Sequence, residues 1–165
     1  MQVAGRAPSA GALASICTVR APMRRNLSED FMAAKINVLL VDDSRTVLAQ
    51  LERILGDLDG VAIVGMERNG AAAIRVACES LPDLILMDIV MPGLDGLSAL
   101  RTIKSLNPGI QIAMMSSVSG DPAKAEEAFR LGACQVLGKP FDLDLIESLI
   151  QTVRETRLEN ATENE

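Results

Sequence analysis

Five short, almost unbroken apolar runs constrain this chain more than any other feature. They fall at 36–41, 61–66, 84–87, 110–115 and 134–137. Apolar runs of this length bounded by turn signals read as buried strands. Between them, apolar residues recur at helical spacing. The first such stretch carries Val47, Leu48, Leu51, Ile54 and Leu55, the second Ile74, Ala77, Cys78 and Leu81, and the third Leu97, Leu100, Ile103 and Leu106. A fourth helix starts at Asp121-Pro122, where Asp caps and Pro occupies the first helical position, and runs to Leu131, with Gly132 as its terminating glycine. A fifth, over about 142–157, is expected to bury Leu145, Ile146, Leu149, Ile150 and Val153. Asn69 and Asp95 are expected to cap the second and third helices. Apolar strands alternating with amphipathic helices predict an α/β domain: a parallel sheet covered on both faces, with right-handed crossovers.

The 165 residues suit one such domain, and no internal repeat or second domain is legible. Residues 1–35, rich in Ala, Gly, Pro, Ser and Arg, read as a disordered extension; a transit-like segment, or a true start at Met23 or Met32, stays open. Residues 36–157 form the expected domain, and 158–165 an acidic, frayed tail. The extension carries net charge +3 and the remainder −9. An acidic folded part argues against direct nucleic-acid binding, which needs clustered Lys and Arg. No apolar run reaches the eighteen residues expected of a membrane span.

The absences narrow the chemistry. With no His, the chain has neither imidazole acid/base catalysis nor a His metal site, and no phosphohistidine of its own. With no Trp or Tyr and only three Phe, it has little on which to stack bases or flavin. Cys17, Cys78 and Cys134 are widely spaced and form no CxxC, which suits a reduced cytoplasmic protein; Cys78 and Cys134 read as buried structural thiols.

The strand ends carry what chemistry remains. The first strand ends on Asp42-Asp43, the third on Asp88, the fourth on Ser116 and the fifth just before Lys139. In a parallel sheet all these ends share the edge at which open α/β folds bind ligands. If the strands are neighbours, three carboxylates, a hydroxyl and an ammonium meet in one crevice. Like charges a few ångströms apart repel by several kcal/mol at moderate dielectric, so either some of the carboxylates protonate or a cation joins them. Carboxylate oxygens without His or Cys select a hard ion such as Mg²⁺, which also leaves room for a phosphate oxygen. A carboxylate beside Mg²⁺ is a candidate phosphoryl acceptor, with Lys139 supplying charge and Ser116 a hydrogen bond.

The segments VLLVDDS (38–44), LILMDIVMPGLDG (84–96), IAMMSS (112–117) and GACQVLGKPF (132–141) together resemble the receiver domain of two-component response regulators, over residues 36–155. The resemblance implies a flavodoxin-like sheet of strand order 2-1-3-4-5. It implies Asp88 as phosphoacceptor, Mg²⁺ held by Asp43 directly, by Asp42 through water, by Asp88 and by the Val90 carbonyl, and Ser116 and Lys139 gripping the phosphoryl group. It implies a cis peptide at Lys139–Pro140. A sensor histidine kinase or His phosphotransferase would be the donor. A downstream protein would be the target, met through the last two helices and fifth strand, with homodimerisation on phosphorylation possible. The chain is read as a stand-alone receiver, not an enzyme beyond self-phosphorylation and slow dephosphorylation.

Two departures stand out. Val136 takes the position of the family's switch aromatic, so a smaller rearrangement of the last strand and the helices flanking it is expected. Val90 and Val118 take positions that tune phosphoryl hydrolysis; neither side chain can orient a water, so a long-lived phospho-form is expected. Three rivals are weaker. An aspartate-nucleophile phosphatase would want a second Asp where Val90 stands, and a nucleotide or flavin module a Gly-rich loop where Asp42-Asp43-Ser44 stand. A phosphorylation-independent adaptor would not need the acidic site.

Overall fold

The computed structural model describes residues 34–117 and 121–162. Expectations about residues 1–33, among them Cys17, and about Val118 and 163–165 lie outside these. Strands β1 (Ile36–Val41), β2 (Val61–Glu67), β3 (Leu84–Asp88), β4 (Gln111–Ser117) and β5 (Gln135–Lys139) alternate with helices α1 (Arg45–Gly56), α2 (Gly70–Ser80), α3 (Gly96–Leu106), α4 (Pro122–Arg130) and α5 (Leu143–Thr162). The strands form one parallel sheet in the order β2-β1-β3-β4-β5.

Period-two alternation divides the core. Leu39, Val41, Ile85, Met87, Ile112 and Met114 face the layer made with α2, α3 and α4. Val38, Leu40, Leu84, Leu86, Ala113 and Met115 face α1 and α5. Both faces are covered, so every residue of β3 is buried and a continuous apolar run is tolerated. Asn69, Asp95 and Asp121 cap as expected, each accepting a hydrogen bond from the first turn of the helix that follows, and Ser44 does the same for α1. Gly132 adopts φ +99°, and the Lys139–Pro140 peptide is cis.

The helix faces need correction. In α2 the buried stripe is Gly70, Ala73 and Ala77, small residues that bring the helix close to the sheet. Cys78 is therefore exposed, contrary to its reading as a buried thiol, whereas Cys134 is half-buried against the core. Leu81 lies past the helix end at φ +44° and is 60% exposed. Leu106, the last residue of α3, is exposed too. In α5 the stripe is Ile146, Leu149, Ile150 and Val153; Leu145, about 100° around the helix from Ile146, faces outward. The α5 helix also continues to Thr162, so most of the expected frayed tail is helical. Among the described residues no helix is long and apolar enough to cross a membrane.

Candidate functional site

Register brings the strand ends together. Val41 lies opposite Met87, so Asp42, the next residue, stands level with Asp88. Asp88 lies opposite Met115, which sets Ser116 one step beyond it, and Ser117 lies opposite Lys139. Lys139 is thus two strands from Asp88, roughly 10 Å of sheet, a gap that a Lys and an Asp side chain together can bridge. The Lys139 Nζ donates to Asp88 Oδ1 at 2.8 Å and to Asp42 Oδ2 at 2.6 Å.

These groups are withdrawn from water unequally. Asp42 is fully buried and Asp88 7% exposed, while Asp43 is half-buried. One Asp42 oxygen holds Lys139; the other accepts from the Ser44 N–H at 2.9 Å, which ties the carboxylate to the start of α1. Carboxylate oxygens of Asp42, Asp43 and Asp88 all lie within 4.8 Å of one another. Burial pushes the Asp88 pKa up, more than the bond from Lys139 pulls it down, and the charges of Asp42 and Asp43 push the same way. Burial alone would lower the Lys139 pKa, but its bonds to Asp42 and Asp88 outweigh that and hold the ammonium above its ordinary value.

Three carboxylates and one ammonium leave two net negative charges in the cluster. A hard divalent cation cancels that excess, and an all-oxygen donor set suits Mg²⁺. Beside the cluster lies a cavity of about 310 Å³ lined by Asp88, Val90, Ser116, Ser117, Asp121, Lys124 and Lys139, among others. Its floor is the acid of β3; its walls offer hydroxyls and ammonium groups.

Residues 38–151 match the family model described as the response regulator receiver domain. The chain belongs to the response regulator receiver family. Its receiver is 35% identical, over 68% of this chain, to protein-glutamate methylesterase/protein-glutamine glutaminase 5 of Myxococcus xanthus, 32% of whose length is covered. The chain spans about a third of the length of the curated relatives it matches. Among solved structures it resembles the response regulator domain of Thermotoga maritima CheB, with 31% identity, TM-score 0.63, and 74% of this chain and 96% of that one covered. It also resembles the CheX-CheY-BeF3-Mg complex of Borrelia burgdorferi, with 26% identity, TM-score 0.67, and coverage of 73% and 90%.

Within this receiver, Asp42, Asp43, Asp88 and Lys139 cluster, and Ser116 and Val90 line the adjoining cavity. The Ser116 hydroxyl donates to the Ser117 carbonyl at 3.3 Å rather than to any carboxylate. Asp95 caps α3 and takes no part. Three features escape sequence reasoning. Arg68, just after β2, donates from Nε and Nη2 to the Asp43 carbonyl at 3.2 and 2.9 Å and so fixes the loop that presents Asp43. Gly96 packs so closely under the site that a Cβ there would collide with the Asp88 carbonyl oxygen. Asp121, the cap of α4, and Lys124, in its first turn, line the cavity wall. Only for Gly96 was there a signal, in the Pro92-Gly93 and Gly96 loop that follows Asp88; the other two are long-range meetings.

Proposed function

We propose that this receiver accepts a phosphoryl group on Asp88 and signals through the resulting change in its charge. The observation that carries the reading is the Lys139 ammonium bridging Asp42 and Asp88 in a cluster that still lacks two positive charges. Asp42, Asp43 and Asp88, with the Val90 carbonyl, would hold Mg²⁺, which supplies charge neutralisation for the incoming phosphoryl group. A neighbour whose complex includes BeF3 and Mg supports this choice of ion.

An Asp88 carboxylate oxygen attacks phosphorus in line with the departing group. Lys139 then holds one phosphoryl oxygen, and the Ser116 hydroxyl turns from Ser117 to bond another. The donor is a phosphohistidine on a sensor kinase or His phosphotransferase. The output is a protein contact on α4, β5 and α5, where Phe129, Leu143 and Leu145 are exposed, either with a downstream target or with a second copy. Val136 is half-buried against the core, so the readout is a small shift of β5 rather than an aromatic rotation. Val90, 63% exposed beside Asp88, has no group to orient water, and the phospho-form persists. The protein works in the reducing cytoplasm, where Cys78 and Cys134 stay free thiols, and its own chemistry is limited to taking up and slowly losing the phosphoryl group.

Incubation with acetyl phosphate and Mg²⁺, followed by intact mass, tests this. One added phosphoryl is expected, lost in Asp88→Asn and on chelation of the metal. Incorporation that survives Asp88→Asn overturns the assignment.

A further inference from the structure

The geometry points to Lys124 as a specificity-determining residue that receives the leaving group of the phosphodonor; the inference rests on phosphoryl transfer to Asp88. Asp88 and Lys139 lie deep in the cavity, whereas Lys124 is exposed in the first turn of α4 and lines the same cavity from its rim. In-line transfer sends the leaving group away from the attacking carboxylate, and therefore outward, toward the rim. The rim residues lining this cavity are Val90, which is apolar, Ser117, which is neutral, Asp121 and Lys124. Asp121 spends one oxygen on the Ala123 N–H, and among the described rim residues Lys124 is the cation on the departing side.

The two ammonium groups thus have separate tasks. Lys139 neutralises charge on the acceptor side and Lys124 on the donor side. With acetyl phosphate, the Asp88 oxygen bonds to phosphorus, the bond from phosphorus to the bridging oxygen breaks, and acetate leaves with the electron pair as an anion that Lys124 stabilises. With phosphoramidate, whose nitrogen already carries the extra proton in its zwitterionic form, the phosphorus–nitrogen bond breaks and neutral ammonia leaves with the electron pair, giving Lys124 nothing to hold. Lys124 therefore sets the preference between anionic and neutral leaving groups. Removing it leaves Asp121 as the charged group of that wall, which repels acetate and enlarges the effect.

The test is a time course of phosphoryl incorporation into the full chain with Mg²⁺, followed by intact mass, with acetyl phosphate and phosphoramidate in separate arms. Intact mass suits a chain that has no Trp or Tyr to report by fluorescence. In Lys124→Ala the rate with acetyl phosphate should fall by about tenfold, the low end of what charge in a cleft contributes. The rate with phosphoramidate should stay within about twofold of wild type. Lys124→Arg should restore the acetyl phosphate rate, and Lys124→Glu should lower it further. Equal loss with both donors would overturn the inference by making Lys124 merely structural, and no loss with either would overturn it outright. A wild-type chain that takes no phosphoryl from either donor brings down the reading of Asp88 itself, a result distinct from both.

Discussion

The two edges of the sheet make opposite use of the same strands. At the carboxyl edge, a cavity of about 310 Å³ sits over three carboxylates that share one lysine. At the amino edge lies a larger groove, of about 520 Å³, between Leu81–Asp83, the α3–β4 turn and the end of α5. An ion pair crosses it: the Asp83 carboxylate accepts from the Asn37 N–H at 2.8 Å and from Arg157 Nη1 at 3.3 Å, and Arg157 also holds the Lys35 carbonyl. The amino edge is therefore a structural clasp, joining the start of β1, the start of β3 and the end of α5. Cavity size favours the amino edge. Uncompensated charge favours the carboxyl edge, because a cluster short of positive charge is stable only if something else supplies it.

The contrast can be broken first at Lys139. Lys139→Met in metal-free buffer should destabilise the fold by about 3 kcal/mol, since it leaves the buried acids without a counter-ion, and millimolar Mg²⁺ should recover much of that in a denaturant titration. Recovery absent from this variant would mean that the cluster is not a cation site. The stabilisation from Lys139 also has a pH signature. Its folded pKa is raised, so its contribution is complete below the ordinary lysine value of 10.5 and disappears as pH rises through the folded value.

Gly96→Ala should cost about 2 kcal/mol, because the added carbon meets backbone rather than a movable side chain. It should also slow phosphoryl uptake, by displacing the Asp88 carbonyl. At the opposite edge, Asp83→Ala should cost about 1.5 kcal/mol through its lost hydrogen bonds and leave both Mg²⁺ binding and phosphoryl incorporation unchanged. A change in either would couple the edges and refute the division drawn between them. The smallest effect is expected at Leu81. Its backbone is left-handed and its side chain exposed, so Leu81→Gly should raise the melting temperature slightly, a gain of about 0.5–1 kcal/mol.

Much of this molecule was legible because its signals are local. A cap is read from the residue that makes it, and Asn69, Asp95 and Asp121 all cap as expected. The buried strands are read from unbroken apolar runs, and Asp88 from the loop that stops its strand. Helix faces were less legible. Cys78, Leu81, Leu106 and Leu145 were placed inward because apolar character alone does not reveal which side of a helix meets the sheet. Small alanines decided that for α2, since close approach of the helix outweighs the burial of one larger side chain at its margin.

By itself the sequence determined the alternation of strands and helices, the parallel sheet and the identity of the residues at its carboxyl edge, because each follows from periodicity and short-range sterics. Tertiary structure alone decided that Lys139 spans two carboxylates, that Arg68 fixes the Asp43 loop and that Lys124 reaches the rim of the cavity. Those meetings join residues up to 97 positions apart. They depend on strand order and register, which are set by the packing of the whole sheet and not by any stretch of it.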